Sequence, residues 1–179
     1  AHHRRIQAGI LSWGQDMDHE HNPFQCNLGY QVSLSGKGEW EKKGDYIGKQ
    51  ALEKMKTDLK DGHKPYKLQL VGFEIGGKPI DEYAPDFWLV SPGDGGDPCG
   101  FITSPWYHPE KGKNIAMGYI PYDGTLNANG FPKWDLGKKY KVQLPDIYAD
   151  EPGVPVDAVT VDVPFTESFN ANTREVVKG

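Results

Sequence analysis

The chain has 179 residues, with 20 Lys and Arg against 25 Asp and Glu and a formal net charge of −5. That balance leaves no basic stripe for a phosphate backbone, which excludes nucleic acid as a partner. No run approaches the roughly 20 apolar residues of a membrane span and no signal-peptide pattern opens the chain, so a soluble cytoplasmic protein is expected. With 22 Gly, 14 Pro and 37% hydrophobic residues, the composition suits a loop-rich, mainly β protein. Five Trp, nine Tyr and seven Phe argue against disorder. The length allows one domain with a real core, or one domain plus a piece of another.

At the start, residues 4–13 place Ile6, Ile10 and Trp13 at helical spacing, and Gly14 is positioned to end that helix. Asp16, Asp18, Asn22 and Pro23 mark a turn, and 28–34 is expected to run extended. The polar, Gly-rich stretch 36–45, which carries Trp40, reads as a loop. A second helix is predicted over 47–59, with Ala51, Leu52, Met55 and Leu59 on one face and Gly62 beyond its end. Past Pro65 the texture changes to short strands between Gly, Pro and Asp clusters. Strands are expected at 67–75, 87–90, 100–104, 114–120, 140–144 and 158–163. The apolar phase of the first shifts from Leu68 and Leu70 to Val71, Phe73 and Ile75, which predicts a bulge near Gly72. Gly93 to Asp97 reads as a hairpin connection. Trp106, Tyr107, His108 and Pro109 are placed on the loop between two strands.

Cys26 and Cys99 belong to no CxxC pair and read as buried free thiols. His19, Glu20 and His21 lack a third ligand at metal spacing and read as a solvated acidic turn; His2 and His3 read as helix-entry residues. No phosphate loop, nucleophile elbow or Cys/His pair is present.

The run from Arg5 to Phe24, with Arg-Ile-Gln-Ala-Gly-Ile at 5–10 and Asn-Pro-Phe at 22–24, resembles the signature of the tetrahydrofolate-dependent aminomethyltransferases and demethylases. That family includes the T-protein of the glycine cleavage system, dimethylsulfoniopropionate demethylase and aryl O-demethylases. The resemblance continues in Tyr-Ile-Gly-Lys-Gln-Ala-Leu at 46–52, in Phe-Ile-Thr-Ser at 101–104 and in Asn-Ile-Ala-Met at 114–117. It implies an α+β, mainly β fold: 1–62 as the C-terminal end of the folate-binding region with two helices, 63–166 as a six-stranded Greek-key-like barrel, and 167–179 as a tail. In the family the signature falls in mid-chain, whereas here it begins at residue 5. The resemblance therefore implies an N-terminal half, separate or cleaved, that completes the enzyme and carries its catalytic acid.

The implied cofactor is tetrahydrofolate and the implied substrate a small methylated molecule, with no metal. The family's pterin-binding Glu is replaced by Gln7, whose amide offers one acceptor and one donor where a carboxylate accepts both pterin donors. Gln7 is read either as a folate contact or as a polar helix residue. Tyr30, Trp106 and Tyr107 are candidates to stack on the ligand, against the alternative of ordinary core or surface aromatics. Asn-Pro-Phe-Gln-Cys at 22–26 resembles the sulfonium demethylase and favours demethylase over a glycine-cleavage-type aminomethyltransferase. A rival of another class is a non-catalytic barrel binding carbohydrate through Trp40, Trp88, Trp106 and Trp134.

Overall fold

A computed structural model describes residues 2–34 and 46–165. The loop expected at 36–45, with Trp40, and the tail at 167–179 lie outside the described residues. Six strands, β1 (Leu68–Ile75), β2 (Trp88–Pro92), β3 (Gly100–His108), β4 (Lys113–Pro121), β5 (Lys139–Val142) and β6 (Val156–Val161), close into a barrel. Their order is β1-β4-β3-β2-β5-β6 and every pairing is antiparallel. Closure leaves each strand paired on both sides over part of its length, which removes exposed edges.

Strand alternation divides the apolar residues into two layers. Inside the barrel, Val71, Phe73, Ile102, Ala116 and Val142 are fully buried and pack with Tyr140 and Trp88. Outside it, Leu70, Ile115, Met117 and Tyr119 form a second buried layer with Ile6 and Phe165. β1 is thus apolar on both faces because both are covered. Its register with β4 runs unbroken from Leu68 opposite Pro121 to Ile75 opposite Asn114, so the bulge expected near Gly72 is absent. Gly72 answers a different need: a Cβ there would lie 2.7 Å from Val163 and 2.9 Å from the Val161 carbonyl oxygen. The register shift falls instead in β3, between Ile102 and Ser104.

β3 also runs further than the sequence suggests, so Trp106, Tyr107 and His108 lie in a strand rather than on a loop. Trp106 pairs with Ile115 and His108 with Lys113. Pro105 misled the sequence reading; β2 pairs with β3 only as far as Ile102, and the free edge beyond tolerates a residue without an N–H.

The first helix is shorter than the periodicity predicts. α1 (His2–Gln7) is closed by Gly9 at φ +67°, with the Gly9 N–H on the Ile6 carbonyl at 2.9 Å and the Ile10 N–H on the Arg5 carbonyl at 2.8 Å. This double bond pattern is a Schellman cap, so Gly9 ends the helix and leaves Ile10 and Trp13 beyond it. The expected extended stretch at 28–34 contains a 3-10 turn, Gly29–Gln31, because Gly29 is wedged between Phe24 and Phe131. α2 (Lys49–Lys60) occupies its predicted place, and Leu52, Met55 and Leu59 pack against Phe24, Tyr66 and Tyr122. Ala51, expected on that face, is exposed. Cys26 is buried and Cys99 half-buried, and both are free thiols.

Truncating the centre of the barrel should be costly: Phe73→Ala is expected to lose about 3–5 kcal/mol of unfolding free energy, whereas Leu89→Ala, 52% exposed on the outer face, should lose under about 1 kcal/mol. Urea titration of the two variants followed by Trp fluorescence checks the contrast.

Candidate functional site

The polar centre of the molecule lies where α1 and the turn after it meet the outer face of β3. Asp16 is held there with a wholly buried side chain. Its Oδ2 accepts from Arg5 Nη1 and from the Ser12 N–H, both at 2.8 Å. Its Oδ1 accepts from Thr103 Oγ1 at 2.6 Å and Ser104 Oγ at 2.5 Å. The second guanidinium nitrogen, Arg5 Nη2, reaches Ser104 Oγ at 2.8 Å. Tyr119 Oη donates to the Asp16 backbone carbonyl at 2.6 Å.

The register shift makes this arrangement possible. In an unbroken strand neighbouring residues point to opposite faces. At the irregularity between Ile102 and Ser104 that alternation slips, and the hydroxyls of Thr103 and Ser104 both reach one carboxylate oxygen. Gln15 extends the clamp: its Nε2 donates to the Thr103 carbonyl at 2.5 Å and the Ala84 carbonyl at 3.0 Å, while Tyr83 Oη donates to its Oε1 at 2.5 Å.

An inaccessible carboxylate that already accepts four hydrogen bonds has neither the access nor the free lone pairs to serve as a general base. Asp16 therefore anchors α1. Gln7 sits at the last turn of α1, half-buried. Its backbone carbonyl accepts from the Phe165 N–H at 3.0 Å, and its side-chain amide makes no hydrogen bond to a described residue. Trp106 lies in the same layer, its ring 6.0 Å from that of His2, which in turn lies 4.9 Å from Tyr83. Tyr107, one residue on, faces the other side of β3 and donates its backbone N–H to Ile80. Tyr30 projects from the 3-10 turn, 69% exposed. The structure thus gathers Gln7 and Trp106 about α1 and leaves Tyr30 and Tyr107 apart.

His19, Glu20 and His21 form a turn in which His21 Nδ1 meets Asp18 Oδ1 at 2.8 Å. The Glu20 N–H, then His21, hold the Asp18 carboxyl below its usual range. Among the described residues no three His, Cys, Asp or Glu side chains converge as a metal site would require. Trp88 is buried inside the barrel, and Trp134, half-buried, donates its indole N–H to the Val161 carbonyl at 3.0 Å. Neither presents the open ring face that a sugar-stacking platform needs.

Two histidines share the α1 layer. His3 and His108 stand edge to face with ring centroids 5.5 Å apart, and the Nε2 of each is buried without a hydrogen-bond partner. Burial, and then repulsion from His3, push the His108 imidazole below its ordinary range.

With this geometry in place, comparison with known proteins identifies the kind of molecule. No protein-family model matches the chain. The aminomethyltransferase of Synechocystis sp. is 32% identical over 140 residues, covering 78% of this chain and 33% of that protein. The aminomethyltransferase of Thermosynechococcus vestitus is 30% identical over 162 residues, covering 90% of this chain and 35% of that protein. The crystal structure of the glycine cleavage system aminomethyltransferase T from Bartonella henselae shares the fold, with a TM-score of 0.61 at 20% identity over 91% of this chain and 37% of that one. The chain belongs to the aminomethyltransferase family and corresponds to its C-terminal part. It spans about a third of the length of the relatives it matches.

Removing one partner of the buried pair should be severe. Asp16→Ala is expected to cost about 3–5 kcal/mol in urea unfolding, because it strands the Arg5 guanidinium. Acid should also weaken the α1 layer. The folded state disfavours protonated His108 relative to the unfolded chain, so its contribution is fully present above the ordinary imidazole range and is lost as pH falls from there through the lowered folded value. His108→Asn should flatten that part of the stability profile, which thermal melts across the acid range would measure.

Proposed function

We propose that the chain is the C-terminal portion of a tetrahydrofolate-dependent one-carbon transferase, completed by an N-terminal polypeptide that carries the catalytic acid. The observation that carries this reading is the anchoring of α1: the Arg5–Asp16 clamp holds in place the helix bearing Gln7, whose amide makes no hydrogen bond to a described residue. Four large apolar side chains between residues 10 and 47, Ile10, Trp13, Tyr30 and Ile47, are more than half exposed, and they are the groups that a preceding domain would cover.

Gln7 fits the pterin edge at one point, with its carbonyl accepting one ring N–H and its amino group free for the exocyclic oxygen. Trp106, in the same layer, supplies flat apolar surface for the ring system. When bound, tetrahydrofolate supplies N5 as acceptor of the one-carbon unit. The residues of this chain orient it and exclude water, and proton transfer falls to the N-terminal portion. The sequence motifs lean towards a demethylase acting on a small methylated substrate; the names of the relatives favour the glycine-cleavage-type aminomethyltransferase. No helix among the described residues is long and apolar enough to cross a membrane, and a cytoplasmic enzyme is the reading that accords with these relatives.

Titration calorimetry of the full-length protein with tetrahydrofolate tests the proposal. Saturable binding is expected, and Gln7→Ala should weaken it about tenfold, the loss of one polar contact to the pterin. Absence of folate binding in the complete protein would overturn the reading, while undiminished affinity in Gln7→Ala would remove only Gln7 from the pocket.

A further inference from the structure

A groove lies away from α1, at the end of the barrel where the β2–β3 hairpin approaches β5. It is open to solvent and holds about 520 Å³, within the 300–1,000 Å³ typical of small-molecule sites. Its walls are Pro92, Gly93, Pro121, Tyr140 and the half-buried thiol of Cys99, with Lys138, Lys139 and Asp94 at the rim.

These walls are held before any ligand arrives. The Gly93 N–H donates to the Lys139 carbonyl at 3.1 Å, and a Cβ at Gly93 would come within 2.7 Å of that same oxygen. The Cys99 N–H donates to the Val90 carbonyl at 2.8 Å, and the Lys138 N–H to Thr160 Oγ1 at 3.0 Å. Tyr140 is wedged edge-on against Phe73 inside the barrel. A ligand entering such a cleft orders little of the protein, so weak contacts are not spent on ordering it.

Lys138 and Lys139 stand at the rim with Asp94, and Asp123 lies close enough to Lys138 to feel its charge. Among the described residues neither lysine is in an ion pair, and the Lys138 ammonium lies 5.7 Å from the centre of the Tyr140 ring. An unpaired ammonium beside a flat, mostly apolar trough is suited to a molecule with an anionic end and a planar apolar body.

We propose that this cleft is a second ligand site, separate from the folate-binding layer, that takes a small aromatic carboxylate with its carboxyl group on Lys138 and its ring against Pro92 and Pro121. It stands independently of the one-carbon reading, since none of these residues belongs to the α1 layer. Cys99 supplies a reporter in the wall. Alkylation of the full-length protein by iodoacetamide, resolved by peptide mass spectrometry, should be slowed at Cys99 by benzoate in a saturable manner. Lys138→Met should weaken that protection about tenfold, and benzyl alcohol, equally flat but uncharged, should protect far less. Unslowed alkylation at saturating benzoate, or equal protection by benzyl alcohol or in Lys138→Met, overturns the proposal.

Discussion

One carboxylate organises the functional end of this molecule. Asp16 has left water completely, a transfer that is strongly unfavourable for an ion unless its lone pairs are filled and an opposite charge stands against it. Here a guanidinium, two hydroxyls and a backbone N–H meet that demand together. Because these donors come from α1, from the turn after it and from β3, satisfying one ion joins three parts of the chain. A six-residue helix is too short to be stable by itself. α1 persists because Ile6 is buried on the barrel and Arg5 is tied to Asp16.

The barrel serves this clamp in two ways. Its inner layer is an ordinary apolar core, closed all round, and it makes a stiff wall. Its outer layer is buried as well, so β1, β3 and β4 are sandwiched between the interior and α1 with the segment around Phe165. The wall is broken at one place, the register shift after Ile102. That irregularity is where the two hydroxyls turn to the same side. A perfect ladder would aim Thr103 and Ser104 at opposite faces and leave Asp16 short of a donor.

Much of the fold could be read before any coordinates. All six strands fall where runs of apolar residues between Gly and Pro clusters place them, and α2 follows its apolar face to within two residues at its start. The misreadings share a cause, which is that local pattern does not report what lies on the other side of an element. The phase change in β1 looks like a bulge only if one face is assumed wet. Pro105 looks like the end of a strand only if both edges of β3 are assumed paired. The spacing of Ile6, Ile10 and Trp13 looks like one helix, yet Gly9 has a Schellman cap and Trp13 stays on the surface. Of the candidate site, Gln7 and Trp106 were marked by motif and by aromatic character. Asp16 passed for a turn residue, and the adjacent hydroxyls of Thr103 and Ser104, polar groups in the middle of a buried strand, were the signal that could have found it.

The sequence by itself determined the barrel and the family, because strand periodicity and short motifs are local properties carried by neighbouring residues. It also marked Arg5, Gln7 and Asp16 as close together in the chain. Only the tertiary structure decided that Arg5 pairs with a wholly buried Asp16 while the Gln7 amide makes no hydrogen bond to a described residue. That difference rests on Thr103, Ser104 and Tyr119, which lie far along the chain from Asp16 and meet it only when the barrel closes.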